Sequence, residues 1–137
     1  VPPCLGEKLG DVLLTPTRLY AKPIMKLLEK VEVLGMAHIT GGGLIENPPR
    51  MLPEGTAVQI DTSAWQAPKI FELIRNLGNV DIMEMYRVFN MGIGFMVVVR
   101  PEDARETVKL LKDFGEDARV IGKITEGNKE VELLGVS

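Results

Sequence analysis

Apolar residues at Ile24, Leu27, Leu28 and Val31 recur at i, i+3, i+4 and i+7 behind Pro23. That is the period of one buried helix face, and proline suits a first helical turn. Ile70, Leu73, Ile74 and Leu77 repeat the pattern behind Pro68, with Gly78 as the expected stop. A third helix is predicted from Pro101 to about Phe114. Glu102 and Asp103 sit in its first turn, Lys112 in its last, and Gly115 follows, charges that complement the helix dipole at both ends. Asp81 with Glu84 three residues later reads as a capping box, opening a short helix toward Phe89.

Strand patterns fall between these helices. Residues Ala57 to Asp61 alternate, whereas Phe95 to Val99 form an unbroken apolar run, which predicts a central strand covered on both faces. Arg119 to Ile124 and Glu130 to Leu133 flank Glu126-Gly127-Asn128-Lys129, the pattern of a hairpin. Gly35 to Thr40 reads as another strand, running into three glycines. Strands and helices thus alternate in one unit, so the expected class is an α+β sandwich.

Composition narrows the class without changing it. The 137 residues fit one domain. A hydrophobic share of 45% and a charged share of 26% exclude a disordered tail, a collagenous repeat and a coiled coil. With 16 basic and 19 acidic residues the net charge is -3, so no broad nucleic-acid surface is expected, only at most a local cluster of arginines. No run of about 18 apolar residues is present, and no membrane span is expected. The single cysteine, Cys4, forms no internal disulfide and is read as a free thiol in a tail or linker over residues 1–8. The start has neither a basic segment nor an apolar run, so no signal peptide is expected, and it lacks an initiator methionine. The expectation is a chain processed, or cut from something longer.

Three segments could carry chemistry. In His38-Ile39-Thr40-Gly41-Gly42-Gly43-Leu44, a predicted strand ends in consecutive glycines before a short helix. Each glycine costs regular structure about 0.5–1 kcal/mol relative to alanine, so a triplet needs a reason. Backbone N–H groups approaching an anion at a helix start would supply one; a tight turn, or a contact where no Cβ fits, would supply another. This is neither a Walker loop nor a dinucleotide fingerprint, and spacing leaves both readings open. In Tyr86 to Gly94, Asn90 could bond a ligand or its own turn, and Gly92 and Gly94 could admit a substrate or mark a bulge. In Thr15 to Lys22, Arg18 offers a planar fork and Lys22 a mobile charge, on what is otherwise a solvated approach to a helix. His38, the only histidine, is equally a buried structural group or a proton carrier. Trp65 and the methionines read as core. There is no Ser/His/Asp signature, zinc-ligand spacing or EF-hand, and no metal site is expected.

Taken in order, Pro16-Thr17-Arg18-Leu19-Tyr20, His38-Ile39-Thr40-Gly41-Gly42-Gly43 and Phe89-Asn90-Met91-Gly92-Ile93-Gly94 closely resemble the C-terminal half of the aminoimidazole ribonucleotide synthetase family, the phosphoribosylformylglycinamidine cyclo-ligases. Asn47-Pro48-Pro49-Arg50-Met51-Leu52-Pro53 and Val120-Ile121-Gly122 are similar too. The likeness runs from about Leu9 to Leu133.

The resemblance implies a mixed, mostly antiparallel sheet with covering helices, partly ferredoxin-like, and a single C-terminal domain of a longer cytoplasmic, homodimeric enzyme whose N-terminal ATP-binding half is not in this sequence. It implies ATP-dependent closure of the imidazole ring of formylglycinamidine ribonucleotide in purine biosynthesis, with magnesium. It places His38 in the active site, orienting substrate, shuttling a proton or bracing the glycine loop. Thr17, Arg18, Thr40, Gly41, Gly42, Gly43, Asn90 and Gly92 become substrate- or phosphate-binding residues. It further implies that this chain alone binds no cofactor tightly and turns over no substrate. Two alternatives stand beside it: another ATP-using member of the superfamily, or a stand-alone small-ligand or protein-binding module. The upstream reading frame of the parent gene separates the last from the rest.

Overall fold

In the computed structural model, which describes residues 2–136, the central strand is not the longest apolar run but the alternating one. β2 (Thr56–Asp61) lies between β4 (Gly122–Glu126) and β5 (Val131–Leu134), antiparallel to the first and parallel to the second. β1 (Gly35–His38) and β3 (Phe95–Val98) pair antiparallel as a separate two-stranded sheet. The chain is therefore α+β with mixed pairing. Its helices are α1 (Leu9–Leu14), α2 (Ala21–Leu28), α3 (Gly43–Glu46), α4 (Lys69–Gly78), α5 (Ile82–Val88) and α6 (Ala104–Asp113).

Two strand expectations are overturned. β3 is an edge strand, not a central one: among the described residues its single strand partner is β1, and of its own residues only Met96 is buried, although both its faces are covered. Ala37 and Met96 face the core, whereas Phe95 and Val97 turn the other way, toward Pro23 and Ile24 of α2 and Leu111 of α6. A run apolar on both faces looks the same in the middle of a sheet and at its edge. The hairpin is also corrected. β4 and β5 do not pair with each other, because the 127–130 turn passes over the start of β2. Gly127 N–H donates to the Gly55 carbonyl at 3.1 Å and Lys129 N–H to that of Thr56 at 2.6 Å. A Cβ on Gly127 would overlap the Ala57 methyl group, so the glycine lets the turn lie flat across β2.

The helices form where the periodicity puts them. Leu27 is fully buried and Ile24 and Val31 nearly so, each burial stabilising by about 1.5–3 kcal/mol. α2 nevertheless stops at Leu28, short of Val31, and Leu28 of the predicted face is exposed. α4 ends at Gly78 with Asn79 in the left-handed conformation, but Leu77 stays 80% exposed; of the predicted face only Ile74 packs against the main core, joined by Phe71 from outside that face. Asp81 caps α5 through its carboxylate, which accepts from Met83 N–H at 2.8 Å. The main core gathers Leu44, Ile60 and Met85, between the two sheets and the α3–α5 pair. Ahead of α1, residues 2–8 form turns and bends, and Val1 of the expected tail lies outside the described residues. No helix among the described residues is long and apolar enough to cross a membrane.

Candidate functional site

The three sequence segments converge at one end of the β1–β3 sheet. Ile39 N–H donates to the Gly94 carbonyl at 2.9 Å, and His38 sits directly opposite Phe95 in the strand register. The first glycine segment leaves β1 as the second one enters β3.

The triple glycine is held from inside. Gly42 and Gly43 adopt φ of 102° and 54°, the left-handed region that favours glycine. A Cβ on Gly43 would lie 2.6 Å from the Phe89 carbonyl oxygen and would overlap that of Tyr86, so this glycine seats the loop against the end of α5. Asn47, buried, donates from Nδ2 to the carbonyls of Thr40, Gly41 and Gly43, and its Oδ1 accepts from the Thr40 hydroxyl at 3.4 Å. Gly41 differs from its neighbours. It is exposed, has no positive φ and has open space where a Cβ would stand.

Asn90 makes its own turn. Its Oδ1 accepts from Gly92 N–H at 2.9 Å, with Met91 and Gly92 at φ of 51° and 95°. Trp65 Nε1 donates to the Met91 carbonyl at 2.9 Å, and a Cβ on Gly92 would meet Pro68 Cδ at 2.6 Å. The second glycine segment is thus fixed by contacts on both sides.

The segment before α2 lies over these two. Arg18 Nε donates to Glu116 at 3.0 Å and its Nη2 to the Gly115 carbonyl at 3.1 Å. Its planar fork, expected to meet phosphate, is spent on the turn after α6, and the Glu116 bond raises the guanidinium pKa further. Tyr20 packs on Phe95 and His38, with ring centroids 5.3 and 5.7 Å away. Burial, reinforced by the Glu116 carboxylate, pushes the Tyr20 phenol above its ordinary 10.0, so it stays a neutral hydroxyl at physiological pH. Arg18, Tyr20, Gly92, Gly94 and Glu116 line a concavity of about 200 Å³, and Thr17, Arg18, Tyr20, His38 and Phe95 a shallower neighbour of about 320 Å³.

His38 is exposed, not buried, and the glycine loop is braced by Asn47 rather than by His38. Gly41, Gly42 and Gly43 line neither concavity, and Gly43 N–H donates to the Thr40 carbonyl at 2.9 Å. Among the described residues no group of three or more His, Cys, Asp or Glu side chains could hold a metal ion. Sequence reasoning missed Asn47 and Glu116 as site-building residues. Asn47 stands four residues after Gly43, a spacing that returns its side chain to the loop once α3 forms; Glu116 carries no local signal.

Residues 2–134 match the family model described as AIR synthase related protein, C-terminal domain. The chain belongs to this family. Relatives described as phosphoribosylformylglycinamidine cyclo-ligase include one from Chromobacterium violaceum, 53% identical over 88% of this chain and 35% of its own length. One from Bacillus cereus is 53% identical over 87% of this chain and 34% of its own. One from Brevibacillus brevis is 49% identical over 96% and 38%. The chain therefore spans about a third of the length of the curated relatives it matches. A chain in the solved structure of a HypE–HypF complex shares the fold, with a TM-score of 0.62, 18% identity, and coverage of 93% of this chain and 45% of that one.

Proposed function

We propose that this AIR synthase related domain forms the C-terminal part of a phosphoribosylformylglycinamidine cyclo-ligase, a cytoplasmic homodimer whose preceding part binds ATP. The observation that carries the reading is 53% identity to proteins of that name, joined to the convergence of three separated motifs on one end of the β1–β3 sheet. In the reaction, ATP phosphorylates the formyl amide oxygen of formylglycinamidine ribonucleotide. The amidine nitrogen attacks the activated carbon, phosphate departs, and the imidazole ring of aminoimidazole ribonucleotide is closed with ADP released. Magnesium accompanies ATP in such chemistry, but the described residues offer it no acidic cluster, and no residue of this chain is assigned to it. The finer description of the fold, a partly ferredoxin-like sandwich, belongs to the same reading, supported by the helices on the outer face of β1–β3.

This chain's share of the work is to position and to neutralise. Gly41 and Gly42 present backbone N–H donors to a phosphoryl oxygen, the Thr40 hydroxyl joins them by turning from its long 3.4 Å bond to Asn47, and Gly43 shapes the loop. His38 stands at the mouth of the shallower concavity, with Thr17 and Arg18 beside it; Gly92 lines the neighbouring one, its turn shaped by Asn90. The exposed imidazole of His38 meets the reacting groups and moves a proton during closure.

Gly41→Val in the full-length enzyme is the informative test, since Gly41 alone of the triplet has room for a side chain without backbone strain. Expected is a fall in kcat/KM of about tenfold or more, each factor of ten being about 1.4 kcal/mol of lost transition-state stabilisation, with thermal stability unchanged. Unchanged kinetics overturn the anion-cradle role. Equally, the 137-residue chain alone is expected to form no aminoimidazole ribonucleotide from substrate and ATP, and mixing with the separately expressed preceding part to restore some turnover. A robust rate from the chain alone overturns the division of labour.

A further inference from the structure

We infer that Tyr20 is the positioning residue that fixes the His38 imidazole, an inference that rests on the proposed active-site role of His38. Among the described residues no hydrogen bond reaches either ring nitrogen of His38, and the side chain is exposed at the end of β1. Its orientation therefore depends on ring packing alone. Phe95, its cross-strand partner, lies 5.9 Å away at 30°, and Tyr20 meets it edge-on at 5.7 Å and 67°. Both distances fall in the range where aromatic quadrupoles favour tilted or edge-to-face contact. Two rings at different angles hold an imidazole that one would leave free to turn.

The Tyr20 backbone is fixed at the start of α2, and its side chain is seated over Gly94. Its carbonyl accepts from Ile24 N–H at 3.1 Å at the start of α2. Arg18, two residues before it, is pinned to Glu116 and Gly115 across 97 or more residues of chain. Its hydroxyl and ring edge occupy the space above Gly94, where a Cβ would overlap the hydroxyl and lie 2.7 Å from Cζ. Gly94 has no positive φ, so backbone conformation does not demand glycine there; the tyrosine does. The sequence thus carries a gap in β3's approach and a side chain that fills it, next to a histidine otherwise unsupported. Loss of such support displaces a reacting group by fractions of an ångström, which suffices to slow a reaction that depends on alignment.

Because His38 is the only histidine, its imidazole C–H resonances report its surroundings without ambiguity. Three variants of the 137-residue chain are compared by NMR: Tyr20→Phe, which keeps the ring, Tyr20→Leu, which removes it, and Gly94→Ala, which pushes it away without touching His38. Tyr20→Phe is expected to preserve the ring-current displacement of the His38 signals. Tyr20→Leu and Gly94→Ala are expected to lose the part of it that Tyr20 supplies, leaving that of Phe95, and a Tyr20→Leu/Gly94→Ala double variant to lose no more than either alone. In the full-length enzyme, Tyr20→Leu is expected to lower kcat about tenfold or more with little change in KM, and Tyr20→Phe to restore it. Unmoved His38 signals in Tyr20→Leu, or failure of phenylalanine to rescue, overturn the positioning role. An unchanged kcat for His38→Ala, with the NMR pattern intact, overturns the functional reading instead and leaves the contact standing.

Discussion

Asn47 Nδ2 lies 2.9 Å from the Gly43 carbonyl oxygen, and the same amide reaches the Gly41 and Thr40 carbonyls at 3.2 and 3.3 Å. One buried side chain thereby satisfies three carbonyls of the glycine loop. Asn47→Ala is expected to destabilise the domain by about 2–3 kcal/mol, since the carbonyls lose their donor where water does not replace it fully. Asn47→Asp is expected to cost at least as much at neutral pH, because it turns the donor into an anion facing three carbonyl oxygens. Urea unfolding, followed by far-UV circular dichroism, measures both.

The triplet behind it is not three equivalent glycines. Gly43→Ala combines a left-handed φ with overlap of the Tyr86 carbonyl, and the expected loss is about 3 kcal/mol. Gly41→Ala, with open space and no positive φ, is expected to change stability by no more than about 0.5 kcal/mol. Equal losses from the two substitutions would show that the loop is not anchored on α5 as described.

Thr107 is buried on α6, and its hydroxyl has no hydrogen-bond partner among the described residues. Valine has nearly the same shape and no hydroxyl to desolvate. Thr107→Val is expected to raise stability by about 1 kcal/mol, read as an increased urea midpoint with the m-value unchanged.

Ser63 donates from its backbone N–H and its hydroxyl to the Asp61 carboxylate at 2.9 and 2.6 Å. These bonds, the hydroxyl's first, hold the Asp61 carboxyl below its ordinary 3.8. A carboxyl whose pKa is lower folded than unfolded contributes stability that is complete above 3.8 and vanishes as the pH falls through the folded value. Arg119 lowers the Asp117 carboxyl in the same sense, by its hydrogen bond first. Ser63→Ala is expected to move the Asp61 titration upward and to flatten the acid limb of the stability profile. NMR titration of the side-chain carboxyl carbons, with unfolding measured on both sides of pH 3.8, checks both.

Local chemistry in the sequence was enough to predict the helices around Leu27, Ile74 and Leu110, the Asp81 cap and the strand that became β2. Each depends on residues within one or two turns of each other, and the period of apolar side chains records which face is buried. The family likeness was legible for a related reason, since its motifs are short runs of adjacent residues. Pairing was not legible. Phe95 to Val98 reads as apolar whether its outer face meets a strand or Ile24 and Leu111, and a four-residue turn reads alike whether its arms join or straddle β2. The site was divided in the same way: its glycines and His38 stood out, but Arg18 is claimed by a glutamate 98 residues away, and Tyr20 finds the gap at Gly94 only after β3 is in place. Such contacts depend on where the completed backbone puts two distant residues, and no local pattern encodes that distance.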